Sequence, residues 1–452
     1  MRMANLRNLL VVCVFLSVIV PPAVGKIIYV NDDANGLNDG TSWADAYKHL
    51  QSALEVADGK LGDLIWVAEG IYTPGTNRTD SFAMKNGVTI YGGFPDILDA
   101  DLTDRNPSAY DTILSGDIGT PVHKQGNCYH VFYHPSSMTL NSTSVLDGFT
   151  ITGGYADGGG ADSFGGGMYN SGSSPTVTNC VFLQNEAVRE PGLGNGMGGG
   201  MYNKASSPTV TNCVFTQNKA RRGGGVGNYV SSLTLTGCVF TQNETSEDGG
   251  GMYNESSSPT ITNCVFSYNK SNATGGGIFN LAVSKMTLAN CTFYWNTALY
   301  YGGVMYCVTS ANIVVTNCIL WQDWPDEISS CEGLDVIYSD VQGGTGKSWF
   351  GTGCIDQKPK FAGPALGELH LLVDSPCIDT GDNAAVPPGV TTDLDGKARI
   401  VDGDDDSTAT VDMGAYEFRV EIPGDNNCDG VVDFKDVAIL CGNWLAGTEL
   451  EL

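Results

Sequence analysis

Basic side chains are scarce in this 452-residue chain, with 23 Lys and Arg against 50 Asp and Glu and a formal net charge of −27. Phosphate contact needs a basic face, so no nucleic-acid partner is expected. An anionic membrane surface would repel the chain for the same reason. Charged residues make up only 16 % of the chain, so the acidity comes from missing bases rather than from acidic blocks. No Cys-x-x-Cys pair occurs, which argues against a zinc site. No Ser/His/Asp nucleophile motif is present. The five histidines, His49, His123, His130, His134 and His370, all lie outside the repeats described below. Three of them, His123, His130 and His134, fall within 12 residues and form a candidate metal group. Simple disorder is excluded by a hydrophobic content of 42 %.

Long apolar runs are also missing, apart from Leu9 to Val20. That run follows Arg2 and Arg7, and Ala23-Val24-Gly25 follows it with small residues. A run of about 12 residues is short for a membrane span but suits a signal peptide. Residues 1–25 are therefore expected to be removed on export, leaving a mature chain without a membrane-spanning segment. An odd number of cysteines, 13 of the 14, would then remain, leaving at least one thiol unpaired.

Glycine is abundant, at 59 residues, roughly twice usual usage. The glycines do not recur every third residue, which excludes a collagen helix. They belong instead to a repeated phrase. Gly165 to Asn170 (Gly-Gly-Gly-Met-Tyr-Asn) precedes Ser174 to Asn185, and the phrase returns from Gly198, Gly223, Gly249 and Gly275, with a degraded copy from Gly302. Its cysteines, Cys180, Cys213, Cys238, Cys264, Cys291 and Cys318, are spaced by 33, 25, 26, 27 and 27 residues.

A period near 26 residues without helical periodicity suits one coil of three short strands joined by bends. In Thr209-Val-Thr-Asn-Cys-Val-Phe215, strand alternation points Val210 inward and the threonines outward. Asn212 is the expected bend, since Asn tolerates the left-handed conformation. Cys213 and Phe215 then point inward, as does Met201. Stacked coils would align three internal columns: Val177, Val210, Leu235, Ile261, Leu288 and Val315; the six cysteines; and Phe182, Phe215, Phe240, Phe266, Phe293 and Leu320. Parallel strand geometry favours free thiols in the cysteine column. One coil cannot bury its own top and bottom, so stability accrues by stacking. The expected fold is all-β, a right-handed parallel β-helix solenoid with three strands per coil. Ser42 to Ala57 reads as an amphipathic capping helix with Ala46, Leu50, Ala53, Leu54 and Ala57 on one face.

The paired Gly-Gly-Gly-hydrophobic and Phe-x-x-Asn phrases resemble repeats of chlamydial polymorphic outer membrane proteins and similar β-helical surface proteins. The opening, Tyr29-Val-Asn-Asp with Asp39-Gly-Thr-Ser-Trp43, is similar to that of secreted bacterial β-helix proteins. Asp374 to Gly381, Thr392 to Gly396 and Val411 to Glu417 resemble the choice-of-anchor region that precedes a sorting or anchoring tail in exported bacterial proteins. These resemblances imply five segments: a signal peptide over 1–25, an N-terminal cap and irregular coils over 26–158, regular repeats over 159–334, the C-terminal β-helix end and choice-of-anchor region over 335–418, and a tail over 419–452.

The tail segment Gly424 to Asp436 resembles one repeat of a type I dockerin, an EF-hand-like calcium module. Such a loop takes oxygen ligands at positions 1, 3 and 5, a carbonyl at 7 and further ligands at 9 and 12. Asp425, Asn427, Asp429, Val431, Asp433 and Asp436 fall at those positions, with Gly430 at the sharp turn. Ca²⁺ is thus the expected cofactor. Dockerins carry two repeats, so a cohesin-like partner is not implied by one.

Two functional classes follow. The first is an exported, non-catalytic surface or matrix protein whose wall contacts glycans or proteins. The second is a polysaccharide lyase or glycoside hydrolase of the pectin-lyase-like β-helix class, which would need a base beside acidic groups or a spaced carboxylate pair. The regular coils supply few such groups. Arg221-Arg222, Asp157, Asp162, Glu247 and Asp248 read as solvated turn charges, and no catalytic residue is assigned. The extra stretch Glu186 to Met197 in the first regular coil is the expected place for specialised contact.

Overall fold

A computed structural model describes residues 25–119, 123–188, 196–282, 285–308, 312–404 and 406–419. Its strands are short, two to six residues, and every inter-coil pairing is parallel and in register, apart from one bulge between Trp66 and Ala68. Three long sheets of eleven, ten and eight strands run along the molecule. Each is built by strands one coil apart, so the chain winds as a right-handed parallel β-helix, the hand favoured for parallel crossovers. A fourth sheet of five two-residue strands was not anticipated from the sequence. It comprises Glu186–Ala187, Lys219–Ala220, Glu244–Thr245, Lys270–Ser271 and Thr297–Ala298. Ala187, Ala220, Thr245, Ser271 and Ala298 are its buried positions, and their small side chains let the backbone close in over the core at this corner.

The three columns form as expected. Val177, Val210, Leu235, Ile261, Leu288 and Val315 pair rung to rung in the eleven-stranded sheet, and all are fully buried. The phenylalanines from Phe182 to Phe293 stack with ring centroids 4.5 to 4.9 Å apart. Each buried side chain of this kind contributes about 1.5–3 kcal/mol. Asn179, Asn212, Asn263, Asn290 and Asn317 take the left-handed bend at φ 51 to 54°, and Gly237 does so in the one coil that lacks Asn. The glycine triplets keep neighbouring coils close: a Cβ on Gly224 would lie 2.5 Å from the Gly250 carbonyl oxygen.

Two buried asparagine ladders reinforce the stack. Asn170, Asn203, Asn228, Asn254 and Asn280 pass side-chain hydrogen bonds of 2.9 to 3.0 Å from coil to coil. His134 closes one end on Asn170 at 2.7 Å, and burial pushes this imidazole down to about 4. The Phe-x-x-Asn asparagines, Asn185, Asn218, Asn243, Asn269 and Asn296, form the second ladder and end on Asp323. Such ladders satisfy every buried amide only if the register holds.

The six column cysteines are free and buried, while Cys307 and Cys331 form a disulfide. Burial pushes the Cys213, Cys264 and Cys318 thiols well up, which suppresses the reactive thiolate. All six are closed to solvent, so a thiol reagent should leave the column unmodified in the native protein and label it after denaturation. A denatured chain whose six column thiols still failed to react would mean bridges between coils.

The N-terminal helix is shorter than the sequence suggests, Leu50–Val56 rather than Ser42 to Ala57. Tyr47 instead pairs its backbone with Tyr29 of the first strand and with Asn31 just beyond it, and Asp45 holds the Leu37 amide at 2.8 Å. These contacts draw residues 42–49 out of helix. Leu50, Ala53 and Leu54 still join the end of the main core.

Downstream of the last coil, Leu334–Ile337 and Asp340–Val341, the chain turns back and covers the outer face of the ten-stranded sheet. Phe361, Leu369, Leu371, Ile378, Met413 and Ala415 pack on Val265, Tyr294 and Ile319. Polar contacts fix this layer: Asn263 Nδ2 donates to the Thr392 carbonyl at 2.6 Å, and the Ala415 amide donates to Thr292 Oγ1 at 2.9 Å.

Candidate ligand-binding wall

The corner between the ten-stranded and five-stranded sheets presents two polar ladders to solvent. Gln184, Gln217 and Gln242 adopt φ of 55 to 56°. Their exposed amides link coil to coil, with Gln184 Nε2 donating to Gln217 Oε1 at 2.8 Å and Gln217 Nε2 to Gln242 Oε1 at 3.1 Å. Two residues further along, Glu186, Lys219, Glu244 and Lys270 alternate in sign on successive rungs. Lys124 pairs with Glu186, and Lys219 and Lys270 reach Glu244 at 3.5 and 3.2 Å. Partial burial works against ionisation of Glu244, but Lys270 and Lys219 together hold its carboxyl below the usual range. Exposed pairs of this kind contribute about 0–1 kcal/mol each. Their larger effect is to neutralise the wall locally on a strongly acidic chain.

On the eight-stranded sheet the outward row is aromatic: Tyr169, Tyr202, Tyr253 and Phe279. It is nevertheless closed to solvent. Phe164 stacks on Tyr202 at 4.6 Å, Met197 packs into the same cluster, and the Arg222 guanidinium lies 5.5 Å over Tyr253. Arg221 and Arg222 converge on Glu247 at 2.6 and 2.8 Å. Arg221, Arg222 and Glu247, read as separate turn charges, are thus one knot across neighbouring coils. The signal was in the numbering, since Glu247 follows the arginine pair by one repeat period. Asp157 pairs with Arg78 at 2.5 Å, Asp248 accepts from Thr274 Oγ1 at 2.7 Å, and Asp162 lies 3.9 Å from His130.

The insertion is described only at its ends, where Glu186 meets Lys124 and Met197 meets the aromatic cluster; residues 189–195 lie outside the described residues. The histidine group does not assemble. His123 is exposed, His130 Nδ1 contacts the Gly165 carbonyl at 3.0 Å, and both His134 nitrogens are engaged, by Asn170 and by the Met84 amide. The calcium-loop residues Asp425, Asn427, Asp429, Val431, Asp433 and Asp436 lie outside the described residues. Among the described residues, Asp379, Asp402 and Asp404 are the acidic side chains grouped closely enough for an ion. Asp379 Oδ2 already accepts the Gly403 and Asp404 amides at 2.8 and 2.7 Å, which is the pattern of an acidic turn.

Burial shifts several carboxyls upward for structural reasons. Burial pushes Asp323 and Asp340 up to about 7 and drives Glu327, beside Asp323, well above its ordinary value. Asp323 terminates the asparagine ladder, and Asp340 Oδ2 contacts Cys377 Sγ at 3.2 Å. All three are closed off from solvent, so these shifted groups report burial rather than a cleft poised for catalysis.

Residues 231–323 match the family model for a right handed beta helix region. No curated protein matches the chain. Among solved structures, the chain is similar to a crystal structure of the pectate lyase Pel9A, at 14 % identity and a TM-score of 0.47, over 88 % of this chain and 97 % of that one. Among the described residues no helix is long and apolar enough to cross a membrane.

Proposed function

We propose that the chain is an exported, non-catalytic β-helix whose lateral wall contacts extended glycans at a cell surface or in a matrix. The observation that carries this reading is the wall itself: glutamine amides and alternating Lys and Glu repeat in register along successive coils. A flat, regular row of donors and acceptors suits a ligand that is itself periodic. Among the described residues its charges are paired with one another. Export rests on the Arg2 to Gly25 leader pattern, and attachment on the resemblance of 374–417 to choice-of-anchor regions. A glycan array probed with the mature protein tests the reading. Retention on extended polysaccharides is expected, and a blank array counts against it.

The tail is proposed as a calcium-dependent docking or sorting module. Four aspartates within 12 residues, Asp425, Asp429, Asp433 and Asp436, repel one another without a cation, and Ca²⁺ removes that cost. A single loop lacks its usual partner, so the expected affinity is about 10⁻⁴–10⁻³ M. Calorimetry on the mature chain should show Ca²⁺ heat that Asp429→Ala abolishes. Equal heat in the variant would remove calcium from the account.

A further inference from the structure

Both polar ladders of the wall change character towards the C-terminal end of the repeats, the glutamine row one coil before the Lys/Glu row. The glutamine row continues as Tyr268 and Trp295 before returning to Gln322, and the Lys/Glu row continues as Thr297 and Trp324. The adjoining turn is Leu299-Tyr300-Tyr301, where the preceding coil has Asn272-Ala273-Thr274. Trp295, Leu299, Tyr300, Tyr301 and Trp324 are 50 to 66 % exposed. Five large apolar side chains gathered at one end of an otherwise polar wall mark an interaction surface rather than ordinary surface scatter. One of the rings is held: Gln322 Oε1 accepts from Trp295 Nε1 at 3.1 Å and is itself fixed by the buried Tyr294, whose Oη donates to it at 2.6 Å, so this indole is oriented before any ligand arrives.

We propose that this aromatic end binds a neutral polysaccharide chain, a specificity that rests on the reading of the wall as a glycan surface. Indole and phenol rings match the C–H faces of a pyranose, while the neighbouring amide and hydroxyl groups match its hydroxyl edges. Charge sets the ligand class. No Lys or Arg occurs between Lys285 and Lys347, while Asp326, Glu332 and Asp335 are exposed in that interval. A polyuronate would be repelled by the exposed Asp326, two residues from Trp324, and Lys270, one rung from Thr297, is already paired with Glu244.

The test is electrophoresis of the mature protein through native gels cast with galactomannan, with mixed-linkage β-glucan or with polygalacturonate. The wild type should be retarded by at least one neutral polymer and not by polygalacturonate. Trp295→Ala/Trp324→Ala keeps the net charge, and it should weaken that retardation about tenfold or more with an unchanged melting temperature. Equal retardation of the folded double variant would place the site elsewhere while leaving the wall reading intact. Retardation by polygalacturonate alone would overturn the ligand class, and retardation in no gel would overturn the proposal. Sedimentation showing a wild-type dimer that the double variant abolishes would give the patch to a second copy of this chain and overturn it as well.

Discussion

Ile261→Asp is expected to unfold the centre of the solenoid, whereas Thr260→Asp, one residue away, should be close to neutral. Ile261 is fully buried between Leu235 and Leu288. The substitution removes an aliphatic rung, a loss of about 2–5 kcal/mol, and places a carboxylate where no partner exists, at several kcal/mol more. Stacking transmits the damage, because the asparagine ladders on either side keep their hydrogen bonds only while neighbouring coils stay in register. Thr260 sits on the same strand but faces solvent, where a substitution usually stays within about 0.5 kcal/mol. Denaturant melting and limited proteolysis read both outcomes. A tolerated Asp at 261 would mean that the strand alternation has been assigned to the wrong face.

Arg399→Met should release the C-terminal layer. Arg399 is 1 % exposed, a fully buried cation. Its Nε lies 3.2 Å from Glu417 Oε1, and its Nη2 donates to the Asp412 and Gly414 carbonyls at 3.1 and 2.5 Å. Removing one partner of a buried pair costs about 3–5 kcal/mol, because the other is left uncompensated. Burial raises Asp412 to about 7 and Glu417 to about 9, with Arg399 pulling each the other way. A carboxyl whose folded pKa is raised holds more proton when folded, so stability falls as pH climbs from the unfolded value through the folded one. Without Arg399 both carboxyls rise further, and the variant's deficit should be larger at pH 8 than at about pH 5. Loss of the layer would uncover Val265, Ile319 and Met413, which binding of a hydrophobic dye reports. A variant with unchanged melting and no pH-dependent deficit would show that the layer does not depend on this cation.

Columns were the legible part of the sequence because an inward position repeats at fixed spacing and one coil constrains the next. Val210, Cys213 and Phe215 could be placed from alternation alone. The outer layer was less legible, although it left a trace. In the Cys-Val-Phe triplets, Val239 and Val265 point outward by the same alternation that sends Phe240 and Phe266 inward. An apolar residue facing outward on successive coils calls for a cover, and the C-terminal layer supplies it. The Phe-x-x-Asn asparagines look like exposed turn residues in one coil. Only their recurrence, ending in Asp323, distinguishes a buried ladder from a row of bends. The Arg221-Arg222-Glu247 knot was hidden for a related reason. Its partners are distant in the chain but adjacent on the solenoid, so charges must be compared one period apart. The capping helix was overextended because residues 42–49 carry helical spacing yet are claimed by backbone pairing to the first strand.

The central functional claim is that the wall contacts polysaccharide without cleaving it. The most direct measurement is incubation of the mature protein with polygalacturonate, galactomannan and mixed-linkage β-glucan, with and without Ca²⁺. Ultraviolet absorbance of unsaturated uronides and the release of reducing ends are both followed. The account predicts neither product, together with retention on at least one neutral polymer. Product that forms with the wild type and disappears in Glu247→Gln would contradict it, and would make the arginine–glutamate knot a catalytic centre.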